Sequence, residues 1–237
     1  MLTGQSPESV LYGETIITYP ISRHCRMCDT PAFMIFEDSR PFYLCKNCGL
    51  IFTDCYLTLE EIKHHYQSQH TNSFDWNEKA KELLEVVSFA VTPRKIFDFG
   101  SGAGFLADAF RSMGLEVDNY EPMLHGVFRT GIYNNSYDLV ILNEVIEHAE
   151  DVKKMFDNVY SLTRRGGIIL ISTLMTDKLI NESDRFQEHF KNWWYKDDPT
   201  HISFFCQLTF EYLCEMKNSY SLQMLAAGPN GIILQRW

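Results

Sequence analysis

The stretch "IFDFGSGAGFLADAF", residues 96–110, decides the fold. An apolar run that contains one acid, Asp98, leads into three alternating glycines, Gly100, Gly102 and Gly104, and then into a helical pattern. Glycines at a turn between a strand and a helix let the backbone approach a ligand closely at the carboxyl end of the strand. The stretch therefore predicts an α/β sheet that binds a nucleotide-like ligand at this turn.

Working outward, strand and helix patterns alternate along the chain. Strands are predicted at 95–100, 115–122, 137–145 and 167–173, and helices at 104–114 and 151–167, the latter with Arg164 and Arg165 at its end before Gly166. This alternation predicts a Rossmann-like, doubly wound and mostly parallel sheet with helices on both faces. The tail departs from it, because a helix at 207–218 precedes two strands joined at "GPNG", residues 228–231, which predicts an antiparallel hairpin.

Four cysteines upstream follow the spacing C-x2-C-x16-C-x2-C: Cys25, Cys28, Cys45 and Cys48. Two such pairs supply the four thiolates that tetrahedral zinc prefers, and a closed shell of this kind is structural. The segment between them, "FMIFEDSRPFYL", predicts two strands around a polar turn and hence a small zinc ribbon. Two disulfides or four separate buried thiols are the alternatives. The remaining cysteines, Cys55, Cys206 and Cys214, are predicted to be small buried hydrophobic residues.

Helical patterns fill the region between the ribbon and the sheet. Thr58 and Glu61 form a capping-box signature, and a second helix places Trp76, Ala80, Leu83, Leu84 and Val87 on one face. His64, His65 and His70 are predicted to be solvated. The expected organisation is an N-terminal ribbon module at 1–56, a helical connector at 57–92 and the α/β domain at 93–237.

Composition excludes several classes of protein. The 237 residues are 45% hydrophobic and 22% charged, which is typical of a globular chain. The net charge of −10 makes a nucleic-acid partner unlikely, because such binding depends on lysine and arginine. The sequence has no run of about 18 apolar residues and no basic-then-apolar N-terminus. We therefore expect a cytoplasmic protein without a membrane segment; the sequence does not indicate its oligomeric state.

The glycine spacing distinguishes between ligands. A dinucleotide site calls for G-x-G-x-x-G, whereas this turn has G-x-G-x-G, and Asp98 would repel a pyrophosphate but attract an ammonium group. With its acid and glycines, "DFGSGAG" resembles the first motif of the class I S-adenosylmethionine-dependent methyltransferases. That resemblance, which covers residues 75–237, implies that the turn wraps the methionine part of the cofactor.

Further segments carry the same resemblance. Glu121, 17 residues after Gly104, stands where the family has the acid that accepts the two ribose hydroxyls. "YDLVILNEVIEHAED" is similar to the family's fourth strand and following loop, and the closing hairpin to its reversed last strand. The cofactor residues that the resemblance implies are Asp98, Phe99, Gly100, Ser101, Gly102, Gly104, Phe105, Glu121, Pro122, Tyr133, Asn143, Glu144 and Val145.

One segment departs from the family's pattern. Only fifteen residues separate Glu121 from Tyr137, too few for the usual helix and third strand. We expect the helix to be lost or reduced to a turn, and "HGVFRTGIY", residues 125–133, to supply a shortened strand. The segment has no acid, so adenine recognition would fall to the backbone and to residues such as Ile132 and Tyr133.

The acceptor side contains candidate bases in two places. Glu144, Glu147 and His148 follow the third clear strand, and "FKNWWYKDDPTHISFF", residues 190–205, is rich in aromatic residues. We predict His201, His148 and Tyr195 as catalytic residues, with His201 accepting a proton at its unperturbed pKa and Trp193, Trp194 and Tyr195 lining the substrate pocket. The alternative is that these side chains only pack.

The sequence is thus interpreted as an S-adenosylmethionine-dependent methyltransferase with structural zinc and a small-molecule acceptor, methylated on carbon, oxygen or nitrogen. It also resembles, more loosely, the longer sugar methyltransferases that have an N-terminal four-cysteine module. One alternative is an RNA methyltransferase whose ribbon grips RNA through Arg23, Arg26, Arg40 and Lys46. The others are a non-catalytic binding protein with this fold and a nicotinamide-dependent oxidoreductase, which the glycine spacing disfavours.

Overall fold

The computed structural model describes residues 10–12, 15–17, 22–68, 74–128, 131, 135–181 and 186–237. At its start, β1 (Val10–Tyr12) and β2 (Thr15–Ile17) pair as an antiparallel hairpin. Among the helices within these ranges, none is long and apolar enough to cross a bilayer.

The four-cysteine module is a small antiparallel sheet, and we call residues 22–55 the ribbon. Its strands are β3 (Ser22–His24), β4 (Pro31–Glu37), β5 (Pro41–Leu44) and β6 (Ile51–Phe52). β4 pairs with β5 across the polar turn at residues 38–40, as the sequence predicts.

Two helices, α1 (Leu59–Ser68) and α2 (Trp76–Val87), connect the ribbon to the larger sheet. The predicted capping box is present, because the Thr58 amide and hydroxyl donate to Glu61 Oε2 at 2.8 and 2.7 Å. The Asp75 carboxylate caps α2 by accepting two backbone amides, and Ala80, Leu83 and Val87 form its buried face.

The rest of the chain builds a six-stranded sheet and the elements around it. In chain order these are β7 (Lys95–Phe99), α3 (Phe105–Ser112), β8 (Glu116–Tyr120), α4 (Pro122–His125), β9 (Tyr137–Asn143), α5 (Val152–Leu162), β10 (Thr163–Ser172), α6 (Asp177–Asn181), α7 (Phe186–Lys191), β11 (Ser203–Phe204), α8 (Gln207–Glu215), β12 (Leu222–Gly228) and β13 (Gly231–Arg236). The strand order is β12-β13-β10-β9-β7-β8. β8, β7, β9 and β10 are parallel and β13 is antiparallel to β10, which confirms the predicted fold class.

Apolar residues on the two faces of this sheet pack into two cores, because successive residues of a strand point to opposite faces. On one face, Ile96 and Leu139 pack with α2 and α3. On the other, Phe97 and Val140 join α5, α8 and the ribbon cysteines in a single cluster. The ribbon is therefore packed directly onto the sheet.

The predicted end of α5 is wrong. The helix ends at Leu162 instead of including Arg164 and Arg165, and Thr163 to Gly167 already belong to β10. The buried Thr163 donates its hydroxyl to the Val159 carbonyl oxygen, and Arg164 pairs with Asp138 of β9 at 2.6 Å. These contacts draw the arginines into an irregular strand, in which residues 164–167 lie opposite Asp138 alone.

The shortened segment after β8 contains α4, a single helical turn, as expected from its length. Residues 126–128 are not in a strand, and residues 129–130 and 132–134 of the expected short strand lie outside the described residues. In the described part of the chain, β8 is the edge of the sheet.

A strand from the C-terminal half completes the ribbon. β11 pairs with β6, so the ribbon sheet has the order β11-β6-β5-β4-β3. The division at residues 56 and 92 remains a prediction; this sheet contains residues from both of the outer segments.

Candidate functional site

The four predicted metal-binding cysteines converge in the ribbon. Cys25 Sγ lies 3.5 Å from Cys48 Sγ, Cys28 Sγ lies 3.3 Å from Cys45 Sγ, and all four sulfur atoms lie within 4.8 Å of one another. Zinc–sulfur bonds of about 2.3 Å in a tetrahedron place the sulfurs about 3.8 Å apart, so this donor set fits zinc. The same distances are too long for disulfides.

Tight backbone turns bring each cysteine pair together. The Asp29 amide donates to Cys25 O at 2.9 Å, and the Gly49 amide donates to Cys45 O at 2.8 Å. Both turns need a positive φ, which is +58° at Asp29 and +73° at Gly49. The C-x2-C spacing is thus realised by two matching turns.

The other cysteines only partly match the expectation. Cys206 is buried and Cys214 is half-buried, whereas Cys55 is exposed, so its prediction as a buried residue is wrong. It lies in the loop that follows β6, outside the paired strands. Similarly, His65 is half-buried and lies 3.3 Å from Asp198 rather than being solvated, and His70 lies outside the described residues.

The glycine turn lies at the carboxyl end of β7 and folds over the end of β8. The amides of Gly100 and Ser101 both donate to Tyr120 O, at 2.7 and 3.0 Å. All three glycines have positive φ; a side chain on Gly100 would lie 2.5 Å from Val145, whereas one on Gly102 would meet nothing within 4 Å. The turn therefore packs tightly beneath Gly100 and leaves open space at Gly102.

Asp98 is a buried acid beside this turn. It is 2% exposed, and its Oδ2 accepts no hydrogen bond from the described residues. The pKa of Asp98 is raised to about 7, chiefly by burial; the charge of Arg111 opposes the rise and that of Glu121 adds to it. A buried carboxyl with an unused oxygen is suited to receive a cationic group.

Glu121 lies on the other side of the glycine turn. It caps α4 by accepting the Met123 amide at 3.0 Å, and its Oε2 accepts the Gly102 amide at 3.0 Å. Asn119 supports the turn by donating to Ser101 Oγ at 2.9 Å. The sequence does not indicate Asn119 as a site residue, because an asparagine inside a strand pattern gives no signal of its own.

The remaining predicted cofactor residues fall in different surroundings. Phe99 is buried among aromatic rings, so that only its backbone reaches the strand end, and Phe105 is exposed with its ring 6.1 Å from Trp76. Asn143 ends β9 with a buried Oδ1 that has no partner in the described part of the chain. Pro122 opens α4, and Tyr133 and Ile132 lie outside the described residues.

A cluster of two carboxyl groups and a phenol lies at the carboxyl ends of β9 and β10. The Tyr195 hydroxyl lies 2.9 Å from Glu144 Oε2, 2.8 Å from Glu147 Oε1 and 3.1 Å from Thr173 Oγ1. Glu144 has φ +54°, a left-handed conformation that is uncommon outside glycine and aims its side chain at this cluster.

The proton count of this cluster follows from its hydrogen bonds. A single hydroxyl hydrogen on Tyr195 cannot serve two carboxylates. Burial, and after it the charge of Glu144, raises the pKa of Glu147 to about 8, so Glu147 holds its own proton at neutral pH. Burial, followed by the two carboxylates, also raises the pKa of Tyr195 well above its ordinary range. Glu147 can then donate to the phenol oxygen while Tyr195 donates to Glu144.

Both predicted histidines join this site. His201 Nδ1 lies 2.7 Å from Tyr195 O and His148 Nδ1 lies 3.0 Å from Thr200 O, with the two rings 4.8 Å apart. A carbonyl oxygen only accepts, so each histidine is protonated on Nδ1 and presents Nε2 as a base. Ligand atoms of Glu147, His148 and His201 lie within 4.8 Å of one another, so the three side chains could share a proton or hold a cation.

The expected pKa of His201 is wrong. Burial lowers the pKa of His201, and burial together with the charge of His201 lowers the pKa of His148 to about 4. Both rings are therefore neutral at pH 7.

The loop that supplies Tyr195 and His201 spans residues 192–202, and we call it the lid loop. Trp194 is 68% exposed, whereas Trp193 packs against Phe190 and Phe204. The lid loop thus brings Tyr195 into the cluster, and the rings of Trp193 and Trp194 lie 5.2 and 5.5 Å from the Tyr195 ring. That the two tryptophans line a substrate pocket stays a prediction.

Two of the four cations suggested for an RNA surface point inward. Arg40 is buried and Arg26 is half-buried, and both donate to carbonyl oxygens at or beside the lid loop. Arg23 pairs with Asp54 at 2.6 Å within the ribbon.

The sequence of the chain is similar to those of known proteins. The profile of a family described as a methyltransferase domain matches residues 66–218. A ubiquinone biosynthesis O-methyltransferase of Rhodopseudomonas palustris is 24% identical over 100 residues, which cover 34% of this chain and 39% of the relative. A second ubiquinone biosynthesis O-methyltransferase, from Rickettsia typhi, is 27% identical over 108 residues, which cover 37% of this chain and 44% of that relative. The matched part thus spans about two fifths of the length of these relatives.

Solved structures resemble the chain only distantly. A SAM-dependent methyltransferase from Archaeoglobus fulgidus is 13% identical and aligns with 76% of this chain and 100% of its own, with a TM-score of 0.46. Human N-acetylserotonin methyltransferase in complex with SAM is 19% identical; the alignment covers 68% of this chain and 55% of the human chain, with a TM-score of 0.43.

Proposed function

The chain belongs to the family of methyltransferase domains whose profile it matches, and on that premise we propose that it transfers a methyl group from S-adenosylmethionine to a small-molecule acceptor, with a hydroxyl oxygen as the favoured acceptor atom. When bound, S-adenosylmethionine supplies an electrophilic methyl group on a sulfonium. The single observation that carries the proposal is that the glycine turn, Asp98 and the cluster at Tyr195 all lie at the carboxyl ends of the parallel strands.

The glycine turn and its two acids support the cofactor assignment. The unused oxygen of Asp98 would pair with the cofactor's ammonium group, and Glu121 would accept the ribose hydroxyls. The open space at Gly102 leaves room for a ligand beside the backbone. Asn143, with its buried and unpartnered oxygen, would contribute a further acceptor.

The acceptor side supports a substrate that gives up a proton. His148 and His201 are neutral at pH 7 and present Nε2, so either could take the proton of an acceptor hydroxyl as the methyl group arrives. Tyr195 and Glu147 would keep the proton of Glu147 in their shared hydrogen bond, beside the histidines. The names of the curated relatives, O-methyltransferases of ubiquinone biosynthesis, favour oxygen over carbon or nitrogen.

The four cysteines would hold zinc in a structural role, since all four positions of the tetrahedron are filled by protein ligands. Because Arg26 and Arg40 are committed to internal hydrogen bonds, the ribbon is a weak candidate for an RNA-binding surface.

Two measurements test the proposed function. Titration calorimetry should detect S-adenosylmethionine binding, and no binding at millimolar concentration would contradict an enzyme of this type. S-adenosylmethionine with a labelled methyl group is then incubated with a small-molecule extract and, separately, with cellular RNA. Label should enter the small-molecule fraction; label in RNA alone would favour the RNA methyltransferase.

A further inference from the structure

Arg40 of the ribbon reaches across to the lid loop. Its guanidinium donates to three lid carbonyl oxygens, those of Lys196 at 2.5 Å, Asp198 at 2.8 Å and Pro199 at 3.1 Å. The side chain is 9% exposed and lies over the Phe42 ring, 5.3 Å from its centroid. Burying this charge is costly, and the lid carbonyls repay the cost through charge-assisted hydrogen bonds.

The carbonyls beside these three hold the two catalytic candidates. Tyr195 O accepts from His201 Nδ1, and Thr200 O accepts from His148 Nδ1. Each peptide group is planar, and only the φ and ψ of one residue separate neighbouring carbonyls, so holding three lid carbonyls in place limits the directions open to the carbonyls on either side of them. A planar guanidinium with five donors in a fixed fork can therefore fix the lid backbone that presents both histidine partners.

Other ribbon contacts reinforce the same loop. Lys196 Nζ lies 3.1 Å from Asp38 Oδ2, and Arg26 donates to Ile202 O at 3.1 Å. β11 continues the loop into the ribbon sheet. The ring of Tyr195 belongs to the same buried cluster as Phe42 of the ribbon.

These contacts lead to an assignment for the ribbon. We propose that the four-cysteine module sets the geometry of the acceptor side of the site, with Arg40 as the positioning residue that holds Tyr195 and His201 against Glu147 and His148. The inference rests on the proposed function for the meaning of the site, but the contacts that it concerns can be measured without a methyl acceptor.

Hydrogen exchange tests whether Arg40 orders the lid loop. Arg40→Met keeps an unbranched apolar stem over Phe42 and removes the guanidinium with its donors. The control is Arg23→Met, because Arg23 lies on the same sheet and pairs with Asp54 within the ribbon. We expect amides of the lid loop such as His201, which donates to Asp198 O, to exchange at least tenfold faster in Arg40→Met. Amides of β9 should keep their protection, and Arg23→Met should match the wild type.

NMR of the histidine rings measures their tautomers, which would not change if Arg40 contributed only to overall stability. In ¹⁵N-histidine-labelled protein, His201 and His148 should show the Nδ1-protonated tautomer, and Arg40→Met should shift both toward a tautomer mixture. Arg40→Lys, which has one ammonium for three carbonyls, should show an intermediate change and serves if the methionine variant does not fold. Unchanged exchange and unchanged histidine signals in either folded variant would overturn the proposal.

S-adenosylmethionine titration separates the two proposals. Arg40 does not contact the glycine turn in the described structure, so both Arg40 variants should bind S-adenosylmethionine within about twofold of the wild type. Failure of the wild type to bind it would contradict the proposed function, and the exchange and tautomer results would still decide the role of Arg40.

Discussion

A carboxyl group buried like that of Asp98 costs free energy when it ionises without a partner. Burial raises its pKa from 3.8 to about 7, so the folded state binds the proton more tightly than the unfolded state. This contribution to stability is fully present below about pH 4 and is lost as the pH rises to about 7. We expect Asp98→Asn to stabilise the protein at pH 8 by no more than about 4 kcal/mol, since each pKa unit corresponds to about 1.4 kcal/mol.

Thermal unfolding at two pH values checks this expectation. The increase in Tm caused by Asp98→Asn should be large at pH 8 and small at pH 4. Equal shifts at both pH values would mean that Asp98 is not the group whose ionisation costs stability.

The same residue should make cofactor binding depend on pH. Only ionised Asp98 can pair with an ammonium group, so the affinity for S-adenosylmethionine should rise about tenfold from pH 6 to pH 8 and then level off. Calorimetric titrations across this range should show the rise in the wild type and a weak, nearly flat affinity in Asp98→Asn. A flat profile in the wild type would contradict the role of Asp98.

Glu147 offers a test of the proton count beside Tyr195. Because Glu147 holds a proton at pH 7, Glu147→Gln replaces one neutral donor by another and should change the unfolding free energy by less than about 1 kcal/mol. Glu147→Leu removes one of the three partners of the buried Tyr195 hydroxyl and should cost about 1–3 kcal/mol. Denaturant unfolding at pH 7 measures both, and a large loss in the glutamine variant would show that Glu147 is ionised.

At the residue scale, the site residues that the sequence predicts are side chains that belong to local motifs. Asp98, Glu121 and the four cysteines each stand at a fixed spacing from a glycine turn or from a second cysteine. The contact of Arg40 with the lid loop could not be identified, because its partners lie 156 to 159 residues further along the chain and no local pattern records them. The lowered pKa of His201 was missed for the same reason, since it arises from burial by distant segments.

At the scale of elements, the β12–β13 hairpin depends on one glycine. Gly231 has φ +145°, and a Cβ there would overlap the carbonyl oxygen of Ile171 in β10. Gly231→Ala should therefore destabilise the protein by more than about 2 kcal/mol. Gly228→Ala, before the same turn, is the control, because a Cβ there meets nothing within 4 Å. Similar Tm values for the two variants would contradict the close approach of β13 to β10.

Helix and strand identities were largely predictable, whereas some boundaries and partners were not. The periodic patterns located β7 to β10, α5 and the closing hairpin. Arg164, Arg165 and Gly166 have the composition of a helix end, yet the burial of Thr163 and the pairing of Arg164 with Asp138 place them in β10. β11 is two residues long, too short for any periodic signal, and only its pairing with β6 defines it.

For the whole molecule, zinc bound at the four cysteines as proposed would stabilise more than the ribbon. Cys25, Cys45 and Cys48 lie in the same buried cluster as Phe97 and Val140 of the large sheet. Removal of the metal by a chelator should therefore lower the Tm of a single unfolding transition by roughly 10 °C or more. It should not unfold the ribbon alone. Calorimetry with metal analysis checks this; a separate low-temperature transition would contradict it.

Cys55→Ser is the control for Cys45→Ser, because it makes the same change from thiol to hydroxyl elsewhere in the ribbon. Cys55 is exposed and lies outside the four-sulfur cluster. Cys55→Ser should leave the zinc content and the Tm unchanged, whereas Cys45→Ser should lower both.

The pairing of β11 with β6 has a consequence for how the chain is made. Ser203 pairs with Phe52, so the ribbon leaves the ribosome long before the strand that covers its edge is synthesised. Until then β6 offers unpaired amide and carbonyl groups to other nascent chains, which is the usual route to aggregation. Nascent chains that stop before residue 203 should accordingly depend on chaperones, and release from that dependence should coincide with the arrival of β11.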